Sequence, residues 1–244
     1  MTNKPLHIGK NCKIGKNVKF GMNVIICDNV SIGDGSIISH NCIIGDSDIK
    51  GYKNSYESKE TSIGKNSFIR PFTLISQDVK IGDNFQCGDK VLIRSGTTIG
   101  DGCSIGTMCD LQGNLSIGNF VRFHSNVHVG MLTEIEDFVW IYPYVVITND
   151  PCPPMGKLIG TKIKKFSQIC TMTTLLPGIT IGENSLIGAN SLVKDDVGEK
   201  EFVAGSPARK ISLVTDLRDS NNNQFLPWKD FLKENRGYPW QNTN

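Results

Sequence analysis

The sequence predicts an all-β protein built as a parallel solenoid, and three observations carry that prediction. First, an apolar residue recurs at every sixth position from Ile63 to Ile147, through Ile69, Ile75, Ile81, Cys87, Ile93 and onward. Second, a small or β-branched residue follows four positions later in most repeats, as at Thr73, Val79, Val91, Thr97, Cys103, Val121 and Val139. Third, glycine often stands directly after the apolar position, as at Gly64, Gly82, Gly100, Gly106, Gly118 and Gly130. A six-residue period suits neither an amphipathic helix nor a hairpin sheet; it suits a short strand and tight turn repeated, with two inward side chains each. The glycines are expected to supply turn conformations that a Cβ would penalise.

Taken in order, the repeat opens at Ile8 and runs through Ile14, Phe20, Ile26, Ile32, Ile38 and Ile44. Between Ile44 and Ile63 the spacing is 19, one more than three repeats, so the polar residues 45–62 read as a tolerated surface excursion. A second break, residues 148–162, carries three prolines and no period, and predicts a projecting loop of the kind that tends to hold function. The period resumes at Ile163 and continues to Val193, after which residues 199–211 are expected to leave the coil. The segment FLPWKDFLKENRGYPW predicts one short C-terminal helix that caps an open end. The chain thus divides into a solenoid domain, 1–211, and an extension, 212–244.

A formal charge of +2 over 244 residues argues against a nucleic-acid surface. No apolar run reaches membrane-spanning length and the N-terminus lacks a signal-peptide core, so a cytoplasmic protein with no membrane partner is expected. Of eight cysteines, Cys12, Cys42, Cys103 and Cys109 occupy the small inward slot and Cys87 the large one. They read as core filler, and with only four widely separated histidines no metal site is expected.

The Leu/Ile/Val-Gly-x-x-small-x run, the projecting loop and the ending Gly205-Ser206-Pro207-Ala208-Arg209 resemble the hexapeptide-repeat acyltransferases. The resemblance covers Ile8 to about Ile211 and implies a left-handed parallel β-helix, a homotrimer, and acetyl-CoA or another acyl-CoA as co-substrate. The stretches VHVGMLTEIEDFVWIYPYVVITNDPCPP and LLPGITIGENSLIGANSLVKDDV are most similar to the branch that N-acetylates amino sugars on nucleotide carriers. In that branch an Asn-Asp pair matches Asn149 and Asp150, whereas a polar residue other than histidine stands at the position of His128.

Stacking in coils of 18 residues places the chemistry. His128 points outward, with Asp110 in the same slot one coil below and Val146 one coil above, on the strand that feeds the loop. Acyl transfer to an amine needs a proton acceptor and groups that orient the acceptor, so His128, Asp110 and Asn149 are the catalytic candidates. Asp150, Gln112, His124, Tyr142 and Tyr144 are the substrate-binding candidates. Gly188 and Ala189 would border the pantetheine arm, and Lys194, Arg209 and Lys210 would face the coenzyme A phosphates. Trp140, one coil above Arg122, suggests a subunit contact or a nucleobase shelf. The function expected is N-acylation of a nucleotide-linked amino sugar; the alternatives are O-acylation of a hydroxyl and a non-catalytic scaffold.

Overall fold

The computed structural model describes residues 5–47, 59–154, 156–218 and 220–222. Successive strands visit three parallel sheets in turn, of ten, nine and eleven strands, so each turn of chain lays one strand on each face of a three-sided prism. Asp110–Leu111, His128–Val129 and Val146–Ile147 lie on the first face, Ser116–Ile117 and Glu134–Ile135 on the second, Arg122–Phe123 and Trp140–Ile141 on the third. Pairing joins each strand to its counterpart one coil on, as in Asp110↔His128↔Val146. In a two-residue strand only one side chain can face inward, and it is the repeating apolar one: Ile69, Ile75, Ile93, Leu111 and Ile141 are fully buried. The second inward residue sits at the preceding bend, where Val79, Phe85, Cys103, Val121 and Val145 are equally buried. Burial of each such side chain contributes about 1.5–3 kcal/mol.

The turns work differently from the sequence expectation. Apart from Gly45, whose φ is 85°, glycines directly after the apolar position do not adopt positive φ. They are required because the next coil presses on them: a Cβ on Gly82 would meet Asp101 Oδ1 at 2.3 Å and the Gly100 carbonyl carbon at 2.8 Å. The carboxylate above uses that space to accept the backbone N–H of Asp83, at 2.7 Å, and the same contact recurs in Lys65 N–H to Asp83 and Asp101 N–H to Asn119. The left-handed conformation falls two residues later, on Asn66, Asn84, Asn126, Asn184 and their equivalents, with φ of 53° to 61° at these four. Asparagine tolerates this region better than other non-glycine residues. On the edge between the second and third faces the slot is filled by Phe120, Phe138 and Phe166, whose rings stack at 5.1 Å. Left-handed φ costs a bulky residue roughly 1–2 kcal/mol, and aromatic stacking returns about 0.5–1.5 per pair.

Both breaks of the period leave from one edge, that between the first and second faces. Strand Ile43–Asp46 precedes the first and Val146–Ile147 the second. The second loop is shorter than expected, because Thr161 is already buried in the coil and Lys162–Ile163 is a strand. The expectation that residues 199–211 leave the coil also needs correction. Glu201–Gly205 still pairs in parallel with Leu186–Ile187, extending the third face; the chain then turns back as Ala208–Leu213 in antiparallel pairing. A bend at Gly205-Ser206-Pro207 lets one added strand cap the sheet instead of starting another coil. A 3₁₀ turn follows at Val214–Asp216. The predicted C-terminal helix lies outside the described residues.

Candidate active site

The site is assembled from side chains that the coil period stacks on the first face. His128 Nδ1 lies 3.3 Å from Asp110 Oδ2, and both side chains are part-exposed. The amide of Gln112, two residues beyond Asp110, donates to the same oxygen. Arg94, one coil below Gln112, brings Nε to 3.8 Å from Asp110 Oδ1, which is shielded from solvent and accepts no hydrogen bond. A proton on Nδ1 would face the Asp110 carboxylate, and that tautomer would leave the Nε2 lone pair to receive a proton. That is the arrangement of a general base whose tautomer is held by a carboxylate. Positive charge forming on the ring would be stabilised by an acid that is incompletely neutralised by Arg94.

Asn149 follows strand Val146–Ile147 and covers Gly130, where a Cβ would meet its Cγ at 3.0 Å. Its amide reaches the Met131 carbonyl at 3.4 Å, and its own carbonyl accepts from Ile159 N–H at 2.8 Å, closing the loop at its root. Asp150 accepts from Cys152 N–H at 3.1 Å and shapes the loop rather than turning to His128. His124 stacks on Tyr142 at 4.9 Å with planes 9° apart, its Nε2 buried without a partner. Burial, and secondarily the charge of Arg122, push its pKa down. Arg122 lies 5.2 Å over Trp140, and Trp140 tilts against Tyr142, so these four form one aromatic and cationic ledge on the third face. Tyr144 is 55% exposed at the following bend.

Near the top of the prism, Lys194, Arg209 and Lys210 share one cleft of about 180 Å³. Lys194 faces Asp195 at 3.1 Å and Lys210 faces Glu201 at 2.7 Å, while Arg209 holds Asp195 only at 4.0 Å. Gly188 cannot offer its N–H to a pantetheine amide, since that group is bonded to the Val203 carbonyl at 2.8 Å. Ala189 beside it is exposed. Arg94 was absent from the sequence candidates. Its signal was available: it lies 18 residues below Gln112 and two beyond the outward Leu92. Among the described residues no group of three or more His, Cys, Asp or Glu could hold a metal ion.

Residues 2–88 match the family model described as the GMPPB C-terminal domain, and residues 178–198 match that of the hexapeptide repeat of succinyl-transferase. Galactoside O-acetyltransferase of Escherichia coli is 26% identical over 47% of this chain and 65% of its own length. The bifunctional protein GlmU of Methanococcus maripaludis is 41% identical over 20% of this chain and 11% of its own. Among solved structures, Arabidopsis UDP-N-acetylglucosamine acyltransferase superposes with a TM-score of 0.54 at 16% identity, covering 87% of this chain and 74% of that one; this is likeness of fold. The chain spans less than two thirds of the length of the curated relatives it matches first. Its coils are those of a left-handed parallel β-helix. In its repeat and its fold the chain is similar to the hexapeptide-repeat acyltransferases.

Proposed function

We propose that this protein transfers an acetyl group from acetyl-CoA to the amine of an amino sugar carried on a nucleotide, as a cytoplasmic homotrimer. The observation that carries the reading is the Asp110–His128 pair, oriented outward at the foot of a proline-rich loop. The acceptor nitrogen attacks the thioester carbonyl, forming C–N while C–S breaks. His128 Nε2 takes the proton that the nitrogen sheds and returns it to the departing thiolate. Asp110 stabilises the imidazolium between those steps. The names of GlmU and of the GMPPB model support a nucleotide-sugar acceptor, and the acetyltransferase relatives support acetyl-CoA. In the upper cleft Lys194 and Lys210 are paired with Asp195 and Glu201, so Arg209, held only at 4.0 Å, is the cation there best placed to meet a phosphate of the donor.

The same pair favours a second reading. An alcohol is far less nucleophilic than a neutral amine and gains more from a base, so the dyad and the galactoside O-acetyltransferase relative fit O-acylation as well. Thiol release from acetyl-CoA against matched amino- and hydroxy-sugars, free and nucleotide-linked, separates the two. His128→Ala should lower kcat by roughly 100- to 10,000-fold while acetyl-CoA affinity holds. A loss of only a few-fold would leave His128 as a positioning group.

A further inference from the structure

The two breaks of the coil bracket one surface. Between the strand before the first, Ile43–Asp46, and the strand before the second, Val146–Ile147, four strands cross the first face: Leu74–Ser76, Leu92–Ile93, Asp110–Leu111 and His128–Val129. A groove of about 600 Å³ opens along the lower part of this surface. Its floor is the outward Leu74 and Leu92, and its walls include Ser76, Arg94, Gln112 and Asn114. Gln112 is also the donor to Asp110, so the upper end of the groove reaches the reactive pair.

The charges along it are committed. Lys59 Nζ is 2.9 Å from Asp78 Oδ2, and Arg94 faces Asp110, while Asp46 adds a further carboxylate to the lining. A phosphate placed here would meet two cations, each beside a carboxylate, together with repulsion from Asp46, Asp78 and Asp110. A sugar ring meets the opposite situation. Its C–H face can lie on the two leucines, and its hydroxyls can pair with the Gln112 and Asn114 amides and the serine hydroxyls. Ser95 Oγ, in the same lining, is shielded from solvent without a hydrogen-bond partner.

We infer that this groove binds the sugar ring of the acceptor, with the reacting group at the Asp110–His128 end and any charged carrier outside it. The first excursion is then not neutral: its flanks at Asp46 and Lys59 shape the acceptor site. The inference rests on the acyl-transfer reading for which end of the sugar reacts, but its core claim, sugar binding, is readable without turnover.

The test fills the groove at residues apart from the reactive pair. Leu92→Trp places an indole on the floor, in a strand slot where Trp140 shows that the repeat accepts one. Asn114→Phe does so from a bend slot that Phe120 and Phe138 fill elsewhere. Saturation-transfer NMR with methyl glycosides of glucosamine, galactosamine and galactose should show binding to the wild-type protein. Each variant should weaken that binding roughly tenfold or more, with unchanged circular dichroism and acetyl-CoA affinity. Uridine diphosphate alone should not compete with the glycoside. Undiminished glycoside binding in both folded variants, no glycoside binding to the wild-type protein, or competition by uridine diphosphate would each overturn the assignment. Should no acceptor release thiol while glycoside binding is still lost in the variants, the acyl-transfer reading fails and the groove stands.

Discussion

At the scale of single residues, two kinds of turn position carry different physics, and substitution should tell them apart. Asn84 holds φ of 56° with its side chain at the surface, so Asn84→Ala should cost about 1 kcal/mol and Asn84→Gly much less. Gly82, two residues earlier, has ordinary φ but lies under the next coil, so Gly82→Ala must push backbone apart and should destabilise more than Asn84→Ala. Chemical denaturation of the three variants ranks them; equal losses at both sites would reject the division. His124 adds a pH dependence. Its folded-state pKa lies below the ordinary histidine value of 6.5, chiefly through burial, so the unfolded chain takes up the proton more readily than the folded one. Its contribution to stability is present above that value and fades as pH falls below it. Between pH 7.5 and 5.5 the wild-type protein should lose more in Tm than His124→Phe, which keeps the stacking on Tyr142 without titrating. Identical losses would exclude His124 as the source.

At the scale of elements, the inward pattern was legible because two side chains per hexapeptide leave no freedom: Ile63 to Ile147 predicted the coil, and every one of those fifteen positions is buried. The outward Asp110–His128 stack was legible for the same reason. What sequence did not yield was the geometry of side chains that reach between coils. Arg94 and Gln112 meet Asp110 through flexible stems, and the role of the turn glycines depends on carboxylates one coil above. The strand Glu201–Gly205 was missed because a cap need not keep the hexapeptide spacing. The projecting loop carries its own prediction. Its root is tied by Asn149 to Met131 and Ile159, whereas Pro151, Cys152, Pro153 and Pro154 are exposed. Replacing residues 151–158 with a short Gly-Ser turn should abolish acceptor turnover while sparing Tm and coenzyme A affinity. Unfolding, or unchanged turnover, would make the loop structural.

At the scale of the whole molecule, a convex prism places its grooves on open faces, which is the reason to expect active sites completed between subunits. Light scattering on the purified chain should give three times the mass of 26.8 kDa. A monomer with full activity would remove the need for a neighbour. The shared edge of the two excursions was not legible from spacing: Ile44 pairs with Ile75, so the first break adds thirteen residues to a single step between faces, where the period alone suggested one residue added to a full coil.

The stacking of equivalent slots also makes the prism a ruler. Asp110, His128, Val146 and Thr174 are successive marks on it, each about 4.8 Å from the next. Distance along the molecule is therefore graduated, and a functional group can be moved only by whole divisions. Exchanging His128 and Val146 would raise the imidazole by one mark, strand it from Asp110 and leave the fold's inward pattern untouched. Lengthening or shortening the reach between two sites becomes a matter of adding or removing entire coils, so the scale on which this protein could be re-proportioned is written in its period.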